Sequence, residues 1–223
     1  MMNMKTTQRL LDASEEIWES YHVHPFVQGI ADGTLAQEKF QHYMVQDYLY
    51  LIQYAKVFTL GVAKSKDMEA MLLFAGYISQ ILDKEMEIHR GYMQRLGISL
   101  EEAEKASTSL DNLSYTSYML QVAYEEGPGE IAATILSCAL SYEAIAKQMA
   151  QTHPACVDHP FYGEWVRGYA GCEFAQANQK LIDLIERLTA DYSEKQMQRL
   201  EEIFIACSRY ESGFWDMAWE MRI

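Results

Sequence analysis

Apolar positions along this chain recur at spacings of three and four residues, the period of an amphipathic α-helix. In the first half of the chain they predict helices over residues 7–20, 34–65 and 67–96. Thr34 and Asp67 are the expected N-caps of the second and third helices, because their side-chain oxygens can accept from the first free amides of a helix. Pro25, Gly29 and Gly33 break the pattern between the first two helices.

The second half of the chain continues the same pattern. A polar stretch, residues 98–112, predicts a short helix or a loop. Further helices are expected over residues 115–127, 131–148, 163–188 and 193–220. Gly168 and Gly171 should loosen the third of these, and Ser193 with Gln196 forms a capping box at the start of the last. No segment requires a strand, so the chain is expected to be all-α.

The helix expected over residues 131–148 is apolar on nearly every face, which is typical of a helix at the centre of a protein. Cys138 and Tyr142 lie four residues apart on it and therefore project from the same side. A thiol and a phenol in this position could pack in the core or line a cavity. No Lys, Arg or His lies within a turn of Cys138, so a nucleophilic thiol here would need an activating group from another helix.

Two carboxylates also fall on apolar helix faces. Asp47 belongs to a stripe with Phe40, Tyr43, Tyr50, Leu51 and Tyr54, and Glu211 lies near Phe204, Cys207, Phe214 and Trp215. A buried charge is costly unless it is paired or hydrogen-bonded, and tyrosine hydroxyls could satisfy these carboxylates structurally. Taken with Cys138 on a third helix, they instead indicate a cavity in which aromatic rings stack a flat heterocycle and carboxylates bind its amino or ring-nitrogen groups.

Composition narrows the possible functions. A net charge of −14 argues against a nucleic-acid partner or an anionic membrane surface. The four cysteines include no C-x-x-C pair and are expected to be reduced thiols of a cytoplasmic protein. No apolar stretch is expected to reach the roughly 18 residues that span a bilayer, and the first 18 residues lack the apolar run of a signal peptide.

The six histidines form neither H-E-x-x-H nor E-x-x-H, and nucleotide-binding glycine patterns are absent, so no metal and no cofactor are expected.

The chain resembles the TenA family, thiaminase II, also called aminopyrimidine aminohydrolase. The resemblance rests on the segments HPFVQGIADGTL, QDYLYL, YTSYM, LSCALSYE, RGYAGCEF and SRYESGFWDMAW, which occur in the family's order. It implies a haem-oxygenase-like helical bundle without haem, a single domain over residues 1–223, and a homotetramer. The implied reaction is hydrolysis of thiamin or of 4-amino-5-aminomethyl-2-methylpyrimidine to 4-amino-5-hydroxymethyl-2-methylpyrimidine, in thiamin salvage.

The resemblance also implies roles for individual residues. Cys138 matches the nucleophile, Glu211 the proton donor, and Tyr50 the phenol that raises the reactivity of the thiol. Asp47 matches the carboxylate that holds the pyrimidine amino group and ring nitrogen. Three further tyrosines match substrate-contacting phenols of the pocket: Tyr115, Tyr142 and Tyr169.

Two other functions stay open at this point. A non-catalytic pyrimidine-binding protein of the same fold would use the same aromatic pocket, although it would have no need for Cys138, Glu211 and Asp47 together. A redox enzyme of the same fold, acting on an acidic quinone, would need a basic, histidine-rich pocket, which this acidic, phenol-rich chain lacks.

Overall fold

The computed structural model describes residues 5–223 as an all-helical protein, so the predicted fold class is confirmed. The α-helices of this part of the chain are α1 (Thr6–His22), α2 (Pro25–Asp32), α3 (Gln37–Lys64), α4 (Met68–Ser79), α5 (Met86–Arg95), α6 (Leu100–Lys105), α7 (Leu110–Glu125), α8 (Pro128–Thr152), α9 (Gly163–Ala170), α10 (Cys172–Leu188) and α11 (Glu194–Glu220). A π-helical segment (Gln80–Glu85) joins α4 to α5, and a 3-10 helix (Pro154–Asp158) precedes α9. Residues 1–4, which the predicted single domain includes, lie outside the described residues.

The described chain divides into two compact units. The first unit comprises residues 5–36 and Ala132–Trp215, and the second comprises Gln37–Ile131 and Asp216–Ile223. The first unit therefore holds α1, α2, α9, α10 and most of α8 and α11, whereas the second holds α3 to α7.

The inward stripe predicted for α3 forms the core of the second unit. All of its members are buried: Phe40, Tyr43, Asp47, Tyr50, Leu51 and Tyr54. Further along α3, Gly61 allows a close approach to α4, because a Cβ atom at this position would lie 2.8 Å from the Phe74 ring. Apolar burial along a stripe of this length supplies most of the stability of a helix in a protein.

The segment in which Pro25 and Gly29 interrupt the pattern forms a helix, α2, which the pattern did not predict. Pro25 occupies its first turn, where a missing N–H is tolerated, and the His24 side chain accepts from the amide of Phe26. The helix ends at Gly33, whose φ of 71° suits a left-handed C-cap. Thr34 was wrongly predicted as the N-cap of the next helix, because α3 begins only at Gln37 and the Thr34 amide donates to the Gly29 carbonyl.

One expected helix, residues 67–96, is divided by the π-helical segment. Asp67 caps α4 as predicted, since its carboxylate accepts from the Ala70 amide at 2.9 Å. The i→i+5 bonding of Gln80–Glu85 then rotates the following residues relative to an uninterrupted α-helix. The side of α5 that becomes buried includes Met86, His89 and Met93.

Helix α8 is the central helix that the sequence predicted, with one difference. By length and composition it could cross a membrane, which contradicts the expectation that no stretch is long and apolar enough. Of its most apolar 18-residue window, however, 78% is buried inside the protein. The high hydropathy is that of a core helix, because most of this window packs against other protein groups.

Candidate active site

The predicted site residues fall into two groups, one in each unit. Cys138, Tyr142, Tyr169 and Glu211 belong to the first unit, and Asp47, Tyr50 and Tyr115 belong to the second.

Aromatic rings connect the three helices of the first group. The Tyr142 ring on α8 lies with its centroid 4.8 Å from that of Tyr169 on α9 and 5.2 Å from that of Trp215 on α11. Trp215 and Glu211 lie four residues apart on α11 and therefore project from the same side of this helix. Cys138, one turn from Tyr142, lies on the same side of α8. The first unit therefore brings together a thiol, two phenols and a carboxylate.

Cys138 differs from the other residues around it on α8. The residues from Ile131 to Ser137 are buried, whereas Cys138 keeps partial exposure. Cys207, by contrast, is fully buried, as is usual for a thiol that packs in a core. Partial exposure is what a nucleophile needs in order to reach a ligand.

Glu211 is 2% exposed, and its charge raises the pKa of two neighbouring side chains. Burial raises the pKa of the Cys207 thiol far above its usual value, and the charge of Glu211 adds to this effect. Burial likewise raises the pKa of the Tyr21 phenol, and both Glu211 and Cys138 raise it further. Tyr21 therefore stays protonated close to the two groups that the resemblance marks as catalytic.

Ser208 links the helices that carry this group. Its hydroxyl accepts from Trp18 Nε1 at 2.9 Å and lies 3.1 Å from the hydroxyl of Ser137, the residue before Cys138. Its carbonyl accepts from the Tyr21 hydroxyl at 2.5 Å. These contacts fix α1 and α8 against α11 one turn before Glu211.

In the second unit, the partner of Asp47 is a histidine and not one of the surrounding tyrosine hydroxyls. His89 Nε2 lies 2.7 Å from Asp47 Oδ2, and both side chains are buried. The other ring nitrogen, Nδ1, is 2.9 Å from the carbonyl oxygen of Glu85, the last residue of the π-helical segment. Burial lowers the pKa of His89, but the hydrogen bond and charge of Asp47, together with Glu85, outweigh burial and raise it overall.

A buried amide pair holds the backbone beside Asp47. Gln46 Oε1 accepts from the Ser109 amide at 3.0 Å, and the Asn112 side chain donates to the Gln46 carbonyl at 2.7 Å. Through this pair the start of α7 is tied to the middle of α3. The rings of Tyr115 on α7 and Tyr50 on α3 then pack with centroids 5.3 Å apart. Asp47, Tyr50 and Tyr115 are thus assembled within one unit.

His89 and Tyr21 are not among the site residues predicted from the sequence. His89 is three residues after Met86 and four before Met93, so helical spacing alone could have placed it on the buried face. Tyr21 is seven residues after Ser14, on the side of the first helix that Leu10 and Ser14 bury. Among residues 5–223, no group of three or more His, Cys, Asp or Glu side chains is arranged to hold a metal ion.

Comparison with known proteins identifies the family. The model of the TENA/THI-4/PQQC family matches residues 11–221. The chain belongs to this family. It is 44% identical over 217 residues to an aminopyrimidine aminohydrolase of Helicobacter pylori, covering 97% of this chain and 100% of that protein. It is 43% identical over 220 residues to an aminopyrimidine aminohydrolase of Halalkalibacterium halodurans, covering 99% and 98% of the two chains.

Solved structures show the same family fold. A TenA homologue from P. horikoshii superposes with a TM-score of 0.88 at 30% identity, covering 97% of this chain and 99% of that one. A protein from Shewanella denitrificans with a heme oxygenase-like fold has a TM-score of 0.79 at 12% identity, covering 99% and 94%. The second likeness concerns the fold alone. Both the TenA resemblance and the haem-oxygenase-like fold predicted from the sequence are confirmed.

Proposed function

We propose that this chain is an aminopyrimidine aminohydrolase of the thiaminase II type, a hydrolase that uses Cys138 for covalent catalysis. One observation carries the proposal: Cys138 is the partly exposed thiol of an otherwise buried stretch of α8, in the same unit as the buried carboxylate of Glu211. Relatives named aminopyrimidine aminohydrolase that match nearly the whole chain support the same reaction.

In the proposed mechanism, the Cys138 thiolate adds to an electron-poor carbon of the pyrimidine ring, and the ring takes up the electron pair. The ring then expels the substituent from the exocyclic carbon: a leaving amine takes a proton from Glu211, whereas the thiazole of thiamin, joined through a positively charged nitrogen, leaves as a neutral ring without one. Water adds to the resulting exocyclic methylene and gives a proton to Glu211. The ring becomes aromatic again as the thiolate leaves, so the net change is replacement of the substituent by hydroxyl.

We assign recognition of the ligand to the predicted site residues of the second unit, Asp47, Tyr50 and Tyr115. Asp47 is proposed to accept a hydrogen bond from the pyrimidine amino group, and the rings of Tyr50 and Tyr115 to pack against a flat heterocycle. Support comes from the burial of all three side chains and from the 5.3 Å packing of the two rings. The role that the resemblance gives Tyr50, raising the reactivity of the thiol, stays a prediction that Tyr50→Phe tests.

The experiment compares wild type and Cys138→Ala on 4-amino-5-aminomethyl-2-methylpyrimidine and on thiamin, with the hydroxymethyl product followed by chromatography. Loss of the nucleophile should reduce kcat by at least about a thousandfold on both substrates. The matched control is Cys172→Ala, which removes an exposed thiol at the start of α10 and should keep full activity.

The possible outcomes separate the alternatives. Turnover by Cys138→Ala at the wild-type rate would refute covalent catalysis by this thiol. Tight pyrimidine binding by wild type without product would instead favour the non-catalytic binding protein. The ratio of rates on the two substrates tests the proposed role in thiamin salvage, which requires preference for the aminomethyl pyrimidine over thiamin. We further propose that the enzyme acts in the cytoplasm as a homotetramer.

A further inference from the structure

The hydrogen bonds of His89 determine how many protons the His89 ring and the Asp47 carboxyl group hold between them. Nδ1 is 2.9 Å from the backbone carbonyl oxygen of Glu85, and a carbonyl oxygen can only accept. Nδ1 must therefore carry a hydrogen. Nε2 is 2.7 Å from Asp47 Oδ2, and this contact also requires a proton between the two atoms.

The pair therefore holds one proton more than a neutral imidazole beside a carboxylate. The extra proton can reside on the ring, giving imidazolium and carboxylate, or on Asp47, giving imidazole and carboxylic acid. Both forms are neutral overall, which lowers the cost of burying two side chains that belong to residues only 4% and 3% exposed. Besides Asp47 on α3, the charge that acts on His89 is that of Glu85, at the end of the π-helical segment, and both charges favour imidazolium.

The hydrogen bond with His89 decides what Asp47 can recognise. His89 occupies Oδ2, which leaves Oδ1 for a ligand. As a carboxylate, Asp47 can only accept and so selects a pyrimidine that presents an amino hydrogen. Because the shared proton lies between Nε2 and Oδ2, Oδ1 stays an acceptor while His89 is in place. Without His89, a proton on Oδ1 would let Asp47 donate, and the site would then tolerate a pyrimidine that presents an oxo oxygen.

We propose that His89 is a positioning and specificity-determining residue: as imidazolium it donates to Oδ2 of Asp47 and keeps Oδ1 as an acceptor, so that this site selects amino over oxo pyrimidines. The inference rests on the proposed function, since it assumes that Asp47 contacts the pyrimidine. His89 itself need not contact the ligand, because its ring acts through the far oxygen of the carboxylate.

The first test measures the proton directly in the free protein. In ¹⁵N-labelled protein, the two His89 ring nitrogens should both show protonated chemical shifts at pH 7. In Asp47→Asn the ring should become neutral at the same pH, because burial then acts without the compensating charge. A neutral His89 ring in wild type at pH 7 would overturn the inference whether or not the protein turns over substrate.

The second test measures specificity by calorimetric binding of 4-amino-5-hydroxymethyl-2-methylpyrimidine and of its 4-oxo analogue. Wild type should prefer the amino compound by roughly a hundredfold or more, because a site built to accept from an N–H rejects a group that cannot donate. His89→Leu should reduce this preference at least about tenfold. His89→Gln can still donate to Oδ2 without a charge and should give an intermediate preference.

These outcomes also separate this inference from the proposed function. If His89→Leu and wild type discriminate equally, the positioning role is refuted while the hydrolase assignment stands. If wild type binds neither pyrimidine, both proposals fail. If wild type binds and discriminates but gives no product, while His89→Leu loses the discrimination, the hydrolase assignment is contradicted and the role of His89 stands. Because the first test uses unaltered protein, a variant that fails to fold does not remove the means of refutation.

Discussion

Ser208 shows how a single residue can organise the first unit. Its hydroxyl and carbonyl bond to Trp18, Ser137 and Tyr21, which lie on α1 and α8. Ser208 and Ser137 are fully buried, so water cannot readily replace the contact between their hydroxyls, whereas Trp18 is half-buried. A buried polar group left without its partner costs more than the lost bond, because its desolvation is no longer offset.

Ser208→Ala is therefore expected to lower the free energy of unfolding by about 1–3 kcal/mol, since it leaves Trp18 Nε1 and the Ser137 hydroxyl without this partner. Urea denaturation of the two proteins measures the difference. Ser114→Ala is the control: its exposed hydroxyl bonds to the Asp111 carbonyl, and the expected change is within about 0.5 kcal/mol. Equal stabilities for Ser208→Ala and Ser114→Ala would show that the buried contacts contribute nothing.

The Asp47–His89 pair predicts a pH dependence of stability. The pKa of His89 is raised in the folded protein, so its contribution is fully present below the unfolded pKa of about 6.5. That contribution is lost as the pH rises through the higher folded value. Compared with His89→Gln, wild type should therefore have a larger stability advantage at pH 6 than at pH 9, by urea denaturation. An advantage that grows with pH would contradict imidazolium in the folded state.

At the scale of elements, the close approach of α3 and α4 depends on a glycine. Gly61 is buried on α3, where a Cβ atom would lie 2.8 to 2.9 Å from three atoms of the Phe74 ring. Phe74 is fully buried on α4, so its ring has little space to move. Well-packed interiors respond to an added methyl group with strain rather than with simple displacement.

Gly61→Ala should lower the free energy of unfolding by about 1–3 kcal/mol through this overpacking. The matched control lies on α4, where a methyl group added at Gly76 would meet, within 4 Å, no atom beyond its chain neighbours and the backbone of its own helix. Gly76→Ala should raise stability by about 0.5–1 kcal/mol, because alanine loses less backbone entropy on folding into a helix. Thermal and urea denaturation of both variants measure the two signs. Stabilisation by Gly61→Ala would refute the close packing.

At the scale of the whole molecule, charge and exposed apolar groups bear on assembly. The net charge of −14 disfavours binding to polyanions such as nucleic acids. Large apolar side chains nevertheless stay exposed on the second unit: Met68 and Leu72 lie one turn apart on α4 at 69% and 65% exposure, and Leu110 on α7 is at 71%. The neighbouring side chains of Met68 and Leu72 are therefore candidates for a subunit contact in the proposed homotetramer.

The homotetramer predicts a solution mass of four times the 25.7 kDa chain, measured by light scattering after size-exclusion chromatography. Leu72→Glu should reduce this mass, because it places a charge on the exposed face of α4. Val23→Glu changes an exposed apolar residue of the first unit, at 75% exposure, and should leave the mass unaltered. A wild-type monomer at micromolar concentration would contradict the tetramer.

The helical class and the positions of most helices could be predicted from the sequence, because the spacing of apolar residues and the capping residues at helix ends are local features of the chain. The α3 stripe with Asp47 and the buried surroundings of Glu211 followed from spacing alone, and the segments around Cys138 pointed to the family. The sequence did not predict α2, since a proline such as Pro25 can either interrupt a helix or occupy its first turn. Packing of the rest of the unit against the segment determines which of the two occurs.

Contacts between side chains of different helices became known only from the folded structure. It placed His89 beside Asp47, which lies 42 residues earlier in the chain, and Tyr21 at the Ser208 carbonyl. It also inserted a π-helical segment where the pattern predicted an uninterrupted helix. Spacing along one helix fixes the direction of a side chain relative to its own axis. The partner of a buried polar group depends on how separate helices pack, which no local pattern specifies.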